Sequence, residues 1–339
     1  MHNLEPTSPS EAVQLYIQER RPEVSQATLY EHRTRLRRFT EWCEKQDIDN
    51  MNDMTRQVAY RYRVYRTDEV APTTLENEIR TFRLFIRFCE RFGCVSDGVA
   101  RNIKVPTAPK GDRSRTVKLD PERAEAILDY LERFEYASFR HVLFYLMWNL
   151  GARIGGIRTL DLGDYYEQSV DGPYLDFVHR PETGTPLKNG WKSERKPPIS
   201  DHLAKILNDY ISTHRHDVSD ENGRQPLLTT PQGRPAKTTI QRNIYGLTRP
   251  CMITGECPHG RDVSTCEATG DYNEASKCPD SRSPHALRRG RATKNLNDGM
   301  PEEMVSDRMD MSPEVLREHY NEQTSRDKRR LQREFLNGR

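Results

Sequence analysis

The stretch of sequence that decides the fold reads NLGARIGGIR over residues 149–158 and carries Arg153. A second decisive stretch, SPHALR, spans residues 283–288 and carries His285 and Arg288. Its Ser-Pro pair is typical of the start of a helix, because proline suits the first helical position. An H-x-x-R pattern alone has little weight in so Arg-rich a chain. The two stretches are therefore informative only as a pair, with the Arg153 stretch before the His285 stretch.

Lysine and tyrosine residues extend the ordered set. Lys188 lies just before an Asn189-Gly190 pair, which is a hairpin signal, and Lys192 lies within the turn. Tyr320 follows His285 by 35 residues. Arginine matches phosphate oxygens with two parallel hydrogen bonds, so the two Arg residues favour a phosphate ligand.

Composition excludes several classes of protein. The chain has 339 residues, of which 34% are apolar and 31% charged, and its mean hydropathy is −0.91. No apolar run approaches the ~18 residues that a membrane span needs. The first residues have neither the basic nor the apolar region of a signal peptide, so we expect none. Seven cysteines without an export signal indicate a reducing compartment. We therefore expect a cytoplasmic protein with no membrane partner. The net charge of +2 gives no overall field that attracts polyanions.

Periodicity predicts a mainly α-helical chain of two domains. Residues 1–104 contain only helical patterns, and the Pro- and Gly-bearing stretch 105–116 is predicted to be a linker. Residues 117–324 form the second domain, and 325–339 a basic tail helix. Short strands at Tyr174–Val178 and Arg195–Ile199 predict a small antiparallel β-hairpin in that domain. Its helices are predicted at about 120–133, 137–150, 201–213, 237–248, 284–297, 301–308 and 312–323.

Two helical segments of the first domain carry basic faces. The helix predicted over Pro72–Phe92 places four arginines opposite its apolar side, namely Arg80, Arg83, Arg87 and Arg91. In an earlier segment Arg61 and Arg63 alternate with tyrosines. Such faces can follow a phosphate backbone, so both are candidate DNA-binding surfaces. The alternative is an ordinary solvated helix face.

The ordered set of Arg153, Lys188, His285, Arg288 and Tyr320 resembles the catalytic domain of tyrosine recombinases, the phage-integrase and Xer-like family. The resemblance covers about residues 9–325. The sequence GARIGGIR looks like the corresponding sequence of haloarchaeal and haloviral integrases. It implies a two-domain DNA clamp, with a helical core-binding domain and a helical catalytic domain. It also implies site-specific recombination of double-stranded DNA, by a homo-tetramer on DNA and a monomer when free.

The resemblance implies a role for each residue of the set. Tyr320 attacks the phosphodiester and forms a 3′-phosphotyrosyl bond, while Arg153 and Arg288 hold the non-bridging oxygens in place of a catalytic metal. His285 assists proton transfer. Family geometry favours Lys188 as the general acid, with Lys192 as the second choice.

Two departures from the family pattern leave other functions open. Gly156 stands where relatives often have a Glu that orients the first Arg, and Met311 stands in the usual His or Trp position. Met cannot donate a hydrogen bond to phosphate, so activity is weakened or His319 takes over the role. The alternatives are a type IB topoisomerase-like enzyme and a sequence-specific DNA-binding protein with a decayed site.

A cysteine cluster interrupts the second domain at about residues 250–282. Its four members, Cys251, Cys257, Cys266 and Cys278, lie within 28 residues, with His259 among them as an alternative ligand. The intervening segment is too polar to fold around a core of its own, so four thiolates around a structural Zn²⁺ would close it. Free thiols and disulfides are the alternatives. The zinc has no catalytic role in this interpretation.

Overall fold

The structure is a computed structural model that describes residues 4–109, 117–319 and 325–337. Its contacts divide the chain into two compact units, Met1–Arg115 and Thr116–Arg339. Within the described ranges, no helix combines the length and the apolar character that crossing a membrane requires. The predicted linker is described only as far as residue 109.

The first unit is entirely helical in its described part. Ser8, Ser25 and Thr55 each cap a helix by accepting a hydrogen bond from a backbone N–H in its first turn. Gly93 ends the longest helix with a φ of +88°, a left-handed conformation that glycine adopts without strain. The helices are α1 (Pro9–Arg20), α2 (Gln26–Lys45), α3 (Arg56–Thr67), α4 (Pro72–Phe92) and α5 (Val99–Asn102).

Aromatic side chains form the centre of this unit. Phe39 lies 5.0 Å from Phe82 and 5.2 Å from Tyr62 between ring centroids, and all three rings are almost fully buried. Burial of one such side chain stabilises the fold by about 1.5–3 kcal/mol. Arg66 also lies inside, where its Nε donates to Glu78 at 2.8 Å. Tyr62 and Arg66 are therefore core residues. The arginines and tyrosines of α3 do not form one continuous exposed face.

The second unit packs its helices around the apolar helix Phe139–Leu150. Its described part has eleven α-helices, and nine of them lie outside the cysteine-rich segment: α6 (Pro121–Phe134), α7 (Phe139–Leu150), α8 (Ile154–Thr159), α9 (Asp201–Thr213), α10 (Lys237–Leu247), α13 (Pro284–Asn297), α14 (Glu302–Met309), α15 (Pro313–His319) and α16 (Ser325–Leu336). Short helices α11 (Cys251–Thr254) and α12 (Glu267–Gly270) lie in the cysteine-rich segment. Gly290 allows α13 to approach the backbone carbonyl of Leu119, which a Cβ would displace.

The predicted β-hairpin was wrong in its extent. A small antiparallel sheet is confirmed, but it consists of β1 (Tyr165–Tyr166) and β2 (Tyr174–Leu175), and no pattern in the sequence indicated β1. The segment 195–199 reaches β2 and Phe177 only through isolated bridges, such as the Phe177 N–H donating to Arg195 O at 2.9 Å. Two consecutive prolines at 197–198 explain this, because proline has no N–H for a ladder.

The tail helix α16 lies beside the end of α13. Arg330 donates to the carbonyl of Asn297 at 3.4 Å, and Leu331 is only partly exposed. Leu336 at the far end is 82% exposed. One face of the tail thus remains open in the single chain.

Candidate functional site

Arg153 lies at the junction of α7 and α8. Gly151 ends α7 with a φ of +57°, and Arg153 is the residue before the first turn of α8. Its Nη1 donates to both the backbone carbonyl and the carboxylate of Asp310, at 2.7 and 2.5 Å. The side chain is 26% exposed, so part of the guanidinium faces solvent.

Arg288 is buried and contacts the same two segments, at Gly151 and Asp310. It is 1% exposed and lies on α13, the helix that Ser283 caps. Its Nη1 donates to Gly151 O at 2.7 Å and to Met309 O at 2.5 Å, and its Nη2 to Asp310 O at 3.1 Å. Arg288 therefore joins the end of α7 to the segment after α14. In this arrangement its Nη1 and Nη2 hold backbone carbonyls of both segments.

His285 and Lys188 lie next to the two arginines. Surrounding side chains desolvate the imidazole and lower the pKa of His285, and positive charges lower it further; these belong to Arg288, Arg289, Arg153 and Lys188. The His285 residue remains exposed overall, so its neutral ring can exchange protons with a ligand. Lys188 is also exposed. Arg153, Lys188, His285 and Arg288 come from three distant segments of the sequence. They form one positively charged region in which the other three act on the His285 ring.

Lys192 lies in a neighbouring groove of about 480 Å³. The segment 189–195 forms one side of this groove, and residues 303–313 form the other. Lys188, by contrast, is one of the charges that lower the pKa of His285.

Met311 and Gly156 occupy apolar surroundings. Met311 is 7% exposed and packs in a small cluster with Leu296, Val305 and Leu316, although it also lines the groove. A Cβ on Gly156 would lie 3.1 Å from the Phe177 ring. The guanidinium of Arg195 covers that ring at 4.0 Å. The place of the family's Glu is therefore filled by a packed aromatic side chain.

Tyr320 lies outside the described residues, in the gap 320–324. Helix α15 ends at His319, directly before it in sequence. The side chain of His319 is also outside what the structure describes. The assignment of Tyr320 as nucleophile and of His319 as a substitute donor both stay predictions.

Sequence patterns did not indicate three residues of the site: Asp310, Ser193 and Arg195. Asp310 binds Arg153, and its Oδ1 accepts from the hydroxyl of Ser193 at 2.9 Å. Arg195 donates to Arg308 O at 3.1 Å, and burial lowers its pKa to about 10. The signal for Asp310 was its place directly before Met311. It has a φ of +54°, and Asp tolerates this left-handed conformation better than most residues.

The basic faces of the first unit are partly neutralised. Arg80 pairs with Glu76 at 2.6 Å, and Arg91 pairs with Glu19 at 2.5 Å. Arg83 and Arg87 have no ion pair with any described residue, and Arg87 is exposed. On α3, Arg61 is exposed and Arg63 is partly exposed. These four arginines are the better candidates for phosphate contacts.

The four cysteines of the insert line one small cavity. Cys251, Cys257, Cys266 and Cys278 surround a space of about 10 Å³, together with His259. All four thiols are free and partly exposed. Across the described ranges, no three His, Cys, Asp or Glu side chains are close enough together to hold a metal ion. The zinc site therefore stays a prediction.

Comparison with known proteins gives matches to solved structures. No protein-family model matches the chain, and neither does any curated protein. The Tn1549 transposon integrase in complex with transposon right end DNA has a TM-score of 0.61 at 14% identity, over 98% of this chain and 100% of that chain. A lambda integrase tetramer bound to a Holliday junction has a TM-score of 0.60 at 12% identity, over 94% and 80%.

A shorter match is the N-terminal domain of a phage integrase/site-specific recombinase from Haloarcula marismortui. It is 29% identical over 30% of this chain and 99% of that domain, with a TM-score of 0.30. A score this low says nothing about the fold.

The longer matches define the class: a mainly α-helical chain with the integrase fold. Its structural neighbours are tyrosine recombinases and integrases, so the resemblance inferred from the sequence is confirmed at the level of the fold. Identities of 12% and 14% carry no more than that.

Proposed function

We propose that the chain is a site-specific DNA recombinase that cleaves and rejoins duplex DNA through a 3′-phosphotyrosyl bond to Tyr320. The observation that carries this proposal is the meeting of Arg153, Arg288, His285 and Lys188 beside one groove. These are the residue types that a phosphodiester transfer needs, in the order that the sequence resemblance implies.

The reaction follows from the charges of these groups. The Tyr320 oxygen attacks phosphorus, and the bond to the 5′-oxygen of the next nucleotide breaks. Arg153 and Arg288 stabilise the negative charge on the non-bridging oxygens, which a metal ion does in other phosphoryl transfers. Neutral His285 assists removal of the phenol proton, and the Lys188 ammonium gives a proton to the leaving oxygen. The diester energy is kept in the phosphotyrosyl bond, so rejoining needs no cofactor.

Double-stranded DNA is the proposed partner, and a homo-tetramer the proposed assembly on it. Three observations support the proposed partner and assembly. The fold is shared with a lambda integrase tetramer bound to a Holliday junction. Helices α4 and α3 of the first unit also carry arginines that have no acidic partner among the described residues, namely Arg83, Arg87, Arg61 and Arg63. The exposed end of the tail at Leu336 is a surface that a second copy could cover.

A nicked suicide substrate tests the function. The cleaved 5′-hydroxyl fragment diffuses away from such DNA, so the covalent protein–DNA adduct accumulates and survives SDS. We expect the wild type to form the adduct, and Tyr320→Phe to bind the same DNA with unchanged affinity but form none. Tyr245→Phe, on α10, is a matched control that should still form it. An adduct with Tyr320→Phe would show that another residue is the nucleophile.

The same assay separates the alternatives. Specific binding by the wild type without any adduct supports a DNA-binding protein with a decayed site. Relaxation of supercoiled plasmid that lacks a recombination site supports a topoisomerase instead.

A further inference from the structure

Asp310 contacts three parts of the site with one side chain. Its Oδ2 accepts a hydrogen bond from Arg153 at 2.5 Å. Its Oδ1 accepts from Ser193 at 2.9 Å and from Asn189 at 3.4 Å. Its backbone carbonyl accepts from both Arg153 and Arg288. The carboxylate is thus the point where the first arginine, the lysine-bearing segment and the chain leading to residue 320 are joined.

Asp310 is also the acidic partner that Arg153 would otherwise lack. Gly156 carries no side chain, and the Phe177 ring fills the space beside it. Among the described residues, Arg153 forms an ion pair with Asp310 alone. Both of its hydrogen bonds leave from Nη1, so no described residue accepts from Nε or Nη2. Those two nitrogens form the fork that binds a phosphate with two hydrogen bonds.

We propose that Asp310 is the positioning residue for Arg153: it fixes one end of the guanidinium so that the Nε–Nη2 edge meets the scissile phosphate. The inference rests on the proposed DNA cleavage. Asp310 itself touches no substrate in this proposal. Its hydrogen bonds to Ser193 and Asn189 fix the position of the Lys188 segment relative to Arg153.

Asp310→Gly removes the carboxylate and keeps the left-handed backbone that this position requires. We expect single-turnover adduct formation to fall by about 10–100-fold, the range seen when an orienting partner is lost behind a metal ligand, with DNA affinity changed little. Asp310→Asn should be equally slow, because it keeps the shape without the charge. Asp47→Gly makes the same change at another left-handed Asp, on the first unit, and should cleave normally.

A double-mutant cycle distinguishes positioning from simple structural support. If Asp310 acts through Arg153, Asp310→Gly should slow Arg153→Ala no further. On DNA with a neutral methylphosphonate at the scissile position, the Arg153→Ala and Asp310→Gly defects should shrink together. A normal rate for Asp310→Gly, or a full additional loss in the Arg153→Ala background, would overturn the inference.

Thermal melting provides a readout that needs no cleavage. The double variant should melt at the temperature of the less stable single variant, because both changes break the same ion pair. Additive losses of Tm would contradict the pairing. An inactive wild type with coupled melting would refute the proposed function and leave the Asp310–Arg153 pairing standing.

A second inference rests on the cysteine-rich insert, which lacks a core. Between residues 251 and 282, all of them described, the only fully buried apolar residues are Ala268 and Ala275. The short elements there are joined by surface ion pairs such as that of Lys277 with Glu267. Surface pairs of this kind contribute about 0–1 kcal/mol each. Something other than apolar burial must therefore hold the segment.

We infer that the insert is closed by one structural Zn²⁺ bound by Cys251, Cys257, Cys266 and Cys278. The four thiols line a single small cavity, and thiolates are the ligands that structural zinc prefers. Since they are not yet close enough together to coordinate a metal ion, binding requires the side chains to turn towards the centre of that cavity. His259 also lines the cavity, but its Nε2 lies 3.0 Å from the Asp280 carboxylate.

The metal content of the purified full-length protein tests this inference. We expect one Zn per chain after expression with added Zn²⁺, and a visible absorption spectrum of tetrahedral thiolate type after exchange with Co²⁺. Each Cys→Ser variant of the four should lose the metal, whereas Cys43→Ser and His259→Ala should keep it. Folded protein without stoichiometric zinc, whose four thiols react freely with a labelling reagent, would rule the site out.

Discussion

At the scale of single residues, the site departs twice from the tyrosine-recombinase pattern that the sequence resembles, and the two positions have different surroundings in the structure. Asp310 compensates for the carboxylate missing at Gly156, because it approaches Arg153 from another segment. Met311 is instead packed in an apolar cluster at the edge of the groove.

Met311→His tests whether this position lies in the site. A new hydrogen-bond donor at the phosphate should change the rate of adduct formation by up to ~100–1000-fold, the effect of one such donor elsewhere. DNA affinity should change much less, since the bond would form mainly in the transition state. Quench-flow on the suicide substrate and a binding titration measure the two quantities.

Controls for this change are available on the same helical region. Met304→His alters a 56% exposed Met on α14 and should leave both quantities unchanged. Met311→Ala removes buried apolar contacts and should cost about 2–5 kcal/mol of unfolding free energy. Equal rates and affinities for wild type, Met311→His and Met311→Ala would place this residue outside the site.

At the scale of elements, local sequence signals located most helices well. The predicted bounds Pro72–Phe92 agree with α4, because an initial proline and a final glycine mark both of its ends. The β-structure was predicted poorly. Strand β1 is two residues long and depends on a partner nine residues away, so no periodic pattern could indicate it.

Helix α4 offers a test of DNA binding. Because Arg80 and Arg91 already pair with acidic residues, Arg83 and Arg87 should contribute most of its phosphate contacts. We expect Arg83→Ala/Arg87→Ala to weaken binding to all sequences and to reduce the slope of log K against log[salt] by about 1.8, at ~0.9 per phosphate. Arg37→Ala/Arg38→Ala removes the same charge from arginines already paired with Glu41. An unchanged slope in the first variant would make this an ordinary solvated face.

At the scale of the whole molecule, the chain consists of two compact units, each with its own core. The first unit supplies the candidate basic faces, and the second supplies the cationic site and the cysteine-rich insert. The last cysteine of the insert, Cys278, lies six residues before Pro284, the first residue of α13, so closure of the insert would fix the entry to the helix that carries His285 and Arg288. In the proposed function, the first unit binds DNA generally while the second performs the chemistry.

The sequence by itself determined the mainly α-helical class, the helix ends and the order of the residues that form the site. These features depend on caps, prolines, glycines and a 3.6-residue period, all of which act within a few positions. Only the tertiary structure revealed that Arg66 is buried with Glu78, that Arg288 holds backbone carbonyls, and that Asp310 binds Arg153 from 157 residues away. Such contacts join charges brought together by packing, and no local pattern in the chain encodes which charge will find which partner.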